Sequence, residues 1–164
     1  MRATIKVQII QGGKIMYLQI SYDGRILSTS GSPYKQVGDH VYLDAYGNVL
    51  FELNDYGSVY YYDSYDDDDY ERGKIKRIGD TYFYYYGYDD DSYEKGKIKR
   101  IGDYWFYYYG YDDDSYEEGK LKRIADSYVY YYGYDDESYE EGKPKKVGDA
   151  YLYYDEYGSL KRID

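Results

Sequence analysis

Acidic clusters recur along the chain at Asp66-Asp67-Asp68-Asp69, Asp89-Asp90-Asp91, Asp112-Asp113-Asp114 and Asp135-Asp136-Glu137. Carboxylates are hard oxygen ligands, and stacking such runs along a repeat axis sets like charges against one another. A shared Ca²⁺ ion would relieve that repulsion. The spacing is not that of an EF-hand, which alternates its ligands, turns at a central Gly and closes on a Glu. A solvated loop that keeps a hairpin tip soluble fits the same composition. Weak Ca²⁺ binding at Asp89, Asp90, Asp91, Asp112, Asp113, Asp114, Asp135, Asp136 and Glu137 is therefore the one metal expectation, and no other cofactor is expected.

Basic triplets alternate with these acids: Lys74, Lys76 and Arg77; Lys97, Lys99 and Arg100; Lys120, Lys122 and Arg123; Lys143, Lys145 and Lys146. Interleaved with tyrosine they invite comparison with single-strand nucleic-acid platforms. A formal charge of -11 leaves no net positive field to displace counterions from phosphates, so no nucleic-acid partner is expected. Lys and Arg opposite Tyr on paired strands can instead lay their stems on the rings and gain cation–π contacts. The aromatic column Tyr82, Trp105, Tyr128 and Tyr151 is the candidate ligand surface, since exposed rings can dock a sugar face or a second sheet.

Catalysis finds little to work with. His40 is the sole histidine and there is no cysteine, which removes disulfides, thiolate chemistry and Cys-type zinc sites. Paired carboxylates abound, but repetition spreads them over many equivalent loops, whereas a catalytic centre needs one asymmetric constellation. The chain is expected not to be an enzyme, with no catalytic residue.

The elements that must position these groups follow from composition and period. Of 164 residues 33 are Tyr, a residue suited to half-buried pleated surfaces and needing a partner for its hydroxyl when buried. Glycines at 73, 96, 119 and 142 each open a similar segment, at intervals of 23 residues. Within a unit, residues 74–78 and 81–86 flank Gly79 and Asp80, a two-residue link of the I′ or II′ hairpin kind. The N-terminal part repeats the grammar, with turns expected at Gly12 and Gly13, at Asp23 and Gly24, and at residues 44–47 and 54–57. No stretch sustains a 3.6-residue apolar period, so no helix beyond a turn or two is expected.

The expected fold is all-β, an antiparallel meander of tandem hairpins with a 23-residue period, either curled into a spiral or extended as a single layer. Residues 1–32 read as an N-terminal hairpin cap and 33–164 as the tyrosine-rich repeats. A two-residue turn sets Ile78 opposite Thr81, Arg77 opposite Tyr82 and Ile75 opposite Tyr84. Simple alternation then places Ile75, Tyr82, Tyr84 and Tyr86 on one face, and Phe83 and Tyr85 with Lys74 and Lys76 on the other. Pro144 lacks a ladder donor and marks an edge or irregular strand.

The segment YDEYGSLKRI at 154–163, with a shorter echo in YDGRI at 22–26, resembles the YD repeats of Rhs-type proteins, in which a Tyr-Asp pair, a short gap, Gly and a basic-apolar strand recur. That resemblance implies a β-strand spiral forming shells or surface structures. The order of Gly, basic strand, tight turn and an aromatic strand such as WFYY at 105–108 is also similar to choline-binding cell-wall repeats. Those begin Gly-Trp where this chain has Gly-Lys.

Three function classes follow: a non-enzymatic structural or assembly protein of a surface or filament, an aromatic-lined carbohydrate or small-ligand module, and a calcium-responsive scaffold. The expected partners are a second copy through strand edges or a glycan. No apolar run reaches membrane-spanning length, so membrane insertion is not expected. Residues 1–11 lack the features of a secretory signal, which leaves a cytoplasmic protein, or an extracellular one whose signal was removed.

Overall fold

The computed structural model describes residues 4–11, 14–21, 26–29, 35–43, 49–54, 58–63 and 69–164. The expected turns at Gly12 and Gly13, at Asp23 and Gly24, at 44–47 and over 55–57, and the acids Asp66, Asp67 and Asp68, lie outside the described residues. Among the described residues every regular element is a strand. A first sheet contains β1 (Thr4–Gln11), β2 (Lys14–Ser21), β3 (Ile26–Thr29), β4 (Lys35–Gly38), β5 (Val41–Leu43) and β6 (Val49–Asn54) in the order β3-β2-β1-β6-β5-β4. Its β1 and β6 run parallel, with Lys6 opposite Glu52, so this sheet is two antiparallel groups joined edge to edge and not a continuous meander. A parallel pair needs a long crossover, and the intervening strands supply it.

The second sheet carries the repeats and is an antiparallel meander of ten strands in sequence order. They are β7 (Val59–Tyr61), β8 (Ile75–Ile78), β9 (Thr81–Tyr85), β10 (Ile98–Ile101), β11 (Tyr104–Tyr108), β12 (Leu121–Ile124), β13 (Ser127–Tyr131), β14 (Pro144–Val147), β15 (Ala150–Tyr154) and β16 (Leu160–Ile163). The sheet is open, with β7 and β16 at its two edges. Each hairpin closes through the expected two-residue turn, Arg77 facing Tyr82 and Ile78 facing Thr81. Gly79, Gly102 and Gly148 have φ of 56°, 56° and 58°, while the Asp that follows each has no positive φ. Positive φ at the first turn position alone is the II′ pattern, which glycine adopts without a Cβ penalty. Ala125 holds the same place at φ 51°.

The expected division of faces is corrected by a β-bulge in every repeat. Tyr60 pairs with Arg77 but the next residue, Tyr61, pairs with Ile75, which leaves Lys76 as the extra residue. The same slip falls at Lys99, Lys122 and Lys145. A bulge shifts side-chain parity by one, so Ile75 and Ile78, three apart, both point to the buried face. Ile75, Ile78, Phe83 and Tyr85 therefore share that face with Tyr86, while Tyr82 and Tyr84 point outward. The turn has two residues and Ile75 still joins Phe83, because the parity change lies in the strand. Pro144 occupies the position of Ile75 in β14, an interior strand, where the bulge tolerates the missing donor.

The core is one cluster that runs through both sheets. Phe51 of β6 meets Phe106 edge-on with centroids 5.3 Å apart and Tyr104 at 5.2 Å. Phe83 and Phe106 are fully buried, and burial of that extent contributes about 1.5–3 kcal/mol per side chain. Successive hairpins are staggered. Arg100 pairs with Tyr84 on one side and Trp105 on the other, so Trp105 lies level with Tyr84 and not with Tyr82, its counterpart one period earlier. Each hairpin thus slides two residues, about 7 Å, along the strand for about 10 Å gained across the sheet.

Candidate ligand-binding face

The outer face of the ten-stranded sheet carries the candidate site, and the stagger arranges it. Tyr60, Arg77 and Tyr82 lie side by side on β7, β8 and β9; Tyr84, Arg100 and Trp105 follow on β9, β10 and β11. Tyr107, Arg123 and Tyr128 come next, then Tyr130, Lys146 and Tyr151, and finally Tyr153 and Arg162. Each guanidinium sits over the ring on its N-terminal side: Arg77 is 4.1 Å from the Tyr60 centroid, Arg100 4.3 Å from Tyr84, Arg123 4.4 Å from Tyr107 and Arg162 4.2 Å from Tyr153. It reaches the next ring more loosely, at 5.8 Å for Tyr82 and 5.5 Å for Trp105 and Tyr128. Cation–π attraction of this kind contributes about 0.5–1 kcal/mol at exposed sites. Within a strand, Trp105 stacks on Tyr107 and Tyr128 on Tyr130, which links one triad to the next.

All four members of the expected column are exposed: Tyr82 43%, Trp105 40%, Tyr128 42% and Tyr151 43%. On the side away from its cation each of the first three has a neighbour with almost no side chain. The backbone N–H of Gly102 donates to the Tyr82 carbonyl, that of Ala125 to Trp105 and that of Gly148 to Tyr128. A cleft of about 270 Å³ opens beside Arg123, with Tyr107 and Tyr128 on one side and Tyr93 and Glu94 on the other. Burial raises the Glu94 carboxyl above its ordinary range, with Asp91 and Asp90 adding to the effect.

Four of the five cations on the outer face differ from those at the bulges in what neutralises them; the fifth, Arg162, pairs with Asp164 at 2.8 Å. Lys99 pairs with Asp90 at 3.1 Å, Lys122 with Asp113 at 3.5 Å and Lys145 with Asp136 at 3.9 Å. Each of these lysines also lies over a buried ring, Tyr86, Tyr109 or Tyr132. Among the described residues no carboxylate comes within ion-pair distance of Arg77, Arg100, Arg123 or Lys146. Arg77 donates to the Gly79 carbonyl at 3.0 Å and Arg123 to the Tyr128 hydroxyl at 3.2 Å. The latter bond is the main cause that raises the Arg123 pKa.

The acidic loops are organised by their own residues. The middle acid of each accepts the backbone N–H three residues earlier: Asp90 from Gly87 at 2.8 Å, Asp113 from Gly110 at 2.8 Å and Asp136 from Gly133 at 2.7 Å. Burial alone would raise the Asp90 carboxyl, but the Gly87 N–H and Lys99 together hold it below the usual range. The third acid accepts a phenol, Asp91 from Tyr93 at 3.3 Å and Asp114 from Tyr116 at 3.1 Å. Ser92 bonds Tyr111 of the next loop, and Ser115 bonds Tyr134, so neighbouring loops are joined. Asp89, Asp112, Asp135 and Glu137 are exposed. Gly110 and Gly133 let the rings of Tyr93 and Tyr116 approach closely, since a Cβ would lie 2.9 Å and 3.0 Å from them and the rings would have to shift. Among the described residues no group of three or more His, Asp or Glu side chains is arranged to hold a metal ion.

His40 sits away from this face, in the turn between β4 and β5, at φ 58°. Its Nε2 lies 2.7 Å from the Tyr104 hydroxyl, and its ring packs on Tyr104 and Phe51. It joins the two sheets. Sequence reasoning picked out the aromatic column and the cation–π partnership but not the triads, because the stagger that levels Tyr84 with Trp105 depends on the bulge. The spacing IKRI, with apolar residues three apart in a strand, carried that signal. No helix among the described residues is long and apolar enough to cross a membrane. Comparison with known proteins returned no matching family model, no matching curated protein and no matching solved structure.

Proposed function

We propose that this chain is a non-enzymatic β-repeat scaffold that binds an extended glycan along the outer face of its ten-stranded sheet. The observation that carries this is the staggered column Tyr82, Trp105 and Tyr128, three rings that recur once per hairpin, each exposed and each with a glycine or alanine beside it. Pyranose rings have C–H-rich faces that stack on such aromatic faces, and a row of them suits a polymer better than a single sugar. The repeated architecture and the loop-to-loop bonds fit the structural, surface-associated role that the YD-repeat resemblance implies. The chemistry near His40 supports the non-enzymatic part, since its ring is committed to the contact between sheets.

A glycan array probed with the full chain tests the proposal. Binding to one or more extended glycans is expected, together with a loss of about tenfold or more in the double variant Trp105→Ala/Tyr128→Ala, at about 1 kcal/mol per ring. The absence of any bound glycan, or equal binding by a folded double variant, would overturn it.

A further inference from the structure

We propose that the polymer bound on this face is an acidic glycan, a polyuronate whose carboxylates pair with Arg77, Arg100, Arg123 and Lys146 while its sugar rings stack on Tyr82, Trp105 and Tyr128; this rests on the glycan-binding reading above. The argument begins with charge bookkeeping. The chain has 32 acidic residues against 21 Lys and Arg, carboxylates enough to pair every cation, and the inner lysines Lys97, Lys120 and Lys143 are instead committed to backbone carbonyls. Three bulge lysines each have a carboxylate partner. Of the five outer-face cations, Arg162 pairs with Asp164 at 2.8 Å, whereas Arg77, Arg100, Arg123 and Lys146, each one residue beyond a bulge lysine, have none among the described residues. Asp80, Asp103, Asp126 and Asp149 lie in the turns and the acidic clusters in the loops at the opposite ends of the strands, while Glu94 lines the cleft beside Arg123. Between the turns and the loops runs a positive stripe one residue wide.

Guanidinium geometry narrows the ligand. Arg presents a planar fork of donors that matches a carboxylate with two parallel bonds, and stacking on tyrosine holds that fork in place before any ligand arrives. Arg77 and Arg123 each have one resolved hydrogen bond, to the Gly79 carbonyl and the Tyr128 hydroxyl, which leaves further donors for an anion. The cations recur once per hairpin, about 10 Å across the sheet and about 7 Å along it. A polyuronate carries a carboxylate on every sugar, so those that fall in register with the cations can pair with them. A nucleic-acid strand also offers rings and anions, and aromatic platforms with arginine do bind it. Both polymers carry one anion per unit and the net charge of -11 opposes either, so it is the glycan reading of the aromatic column that favours the polyuronate, and nucleic acid is an outcome of the test below.

Calorimetric titration of the full chain with polymannuronate, with the same polymer after reduction of its carboxyls, and with oligothymidylate of similar length separates the possibilities. Polymannuronate should bind at least tenfold more tightly than the reduced polymer and the oligonucleotide, and should weaken with salt. Arg100→Gln/Arg123→Gln should lose roughly tenfold in affinity for the acid polymer and change binding of the reduced polymer less than about twofold. Arg123→Lys, which keeps the charge without the fork and spares the fold if the glutamine pair does not, should show a partial loss. Equal binding of acid and reduced polymers overturns the acidic assignment and leaves glycan binding standing; tighter binding of the oligonucleotide overturns it in favour of nucleic acid. Binding of neither polymer overturns both the assignment and the glycan reading.

Discussion

The two faces of the repeat sheet are built from the same residue and use it in opposite ways. Tyr82 and Tyr84 alternate with Phe83 and Tyr85 along β9, and Tyr86 follows directly. The outward pair meets arginine and solvent, whereas the inward tyrosines send their hydroxyls into the backbone. Each hairpin is paired for only two residue pairs beyond its turn, Arg100 with Trp105 and Ile101 with Tyr104, before the bulge parts the strands. At that parting Tyr108 donates to the Ile98 carbonyl at 2.9 Å, and Tyr86, from the hairpin before, donates to the Phe106 carbonyl at 2.7 Å. Tyr131 and Tyr109 repeat the arrangement at Leu121 and Val129. The inward hydroxyl is thus a replacement ladder bond, and buried carbonyls require one. Tyrosine is abundant inside this protein because the bulge creates acceptors that phenylalanine could not serve.

Removing one inward hydroxyl should break the comparison most sharply. Tyr108→Phe keeps the ring and opens no cavity, but it strands the Ile98 carbonyl in the core, at a cost of about 1–3 kcal/mol. A thermal melt should fall by several degrees. An unchanged melting temperature would mean that these hydroxyls are incidental to the fold.

Alkaline titration sharpens the contrast over the whole inward set. Burial pushes the Tyr132 phenol up to about 12, with Glu140 next among the causes, and burial followed by Glu94 pushes Tyr93 to about 12. Burial raises Tyr86, Tyr108, Tyr109 and Tyr131 as well. An unfolded tyrosine ionises near pH 10, so a raised pKa means that the fold favours the neutral phenol. Stability from this source is full below about pH 10 and is lost as pH rises through about 12. Part of the phenolate absorbance should therefore appear together with the loss of the sheet circular dichroism above about pH 11. Complete ionisation with the sheet intact would contradict the buried hydrogen bonds.

How far the sequence announced these two faces depends on which step is asked about. The Gly-Asp turn and its pairs were legible because turn chemistry is local: two residues between β-prone runs fix Ile78 against Thr81. The column Tyr82, Trp105, Tyr128 and Tyr151 was legible as a set on one face, but not its exposure, since Ile75 was assigned to the same face and both faces read as partly buried. Ile75 was misplaced because alternation was carried unbroken through Lys76, and Tyr86 because it was carried on past Tyr85, which is itself buried. At Lys76 the strand in fact slips, and the slip is stabilised by partners outside the strand: the preceding repeat's tyrosine below the lysine, an acid from the loop before it and tyrosine hydroxyls from neighbouring strands. The acidic loops were legible as loops. Their middle acids read equally well as free ligands, because a cap to Gly87 and a bond to Lys99 become visible only once the loop has folded back on the bulge.

The smallest effect is expected at Tyr130→Phe, and it is the control that gives the larger ones their meaning. Tyr130 lies one residue from Tyr131 in β13, so the two substitutions remove the same atom from adjacent positions of one strand. Tyr131 is buried and donates to the Leu121 carbonyl at 2.9 Å. Tyr130 is 46% exposed and stacks on Tyr128 with centroids 6.4 Å apart, a contact that a phenylalanine ring preserves. Its hydroxyl can exchange with water in the folded and unfolded chain alike, so deletion should alter stability by less than about 0.5 kcal/mol. Tyr131→Phe should cost about 1–3 kcal/mol, as at Tyr108. Denaturant melts of the pair at equal m-value measure that difference directly. If the two variants proved equally stable, the inward and outward tyrosines would be equivalent, and the role assigned to the bulge in separating them would fall with that result.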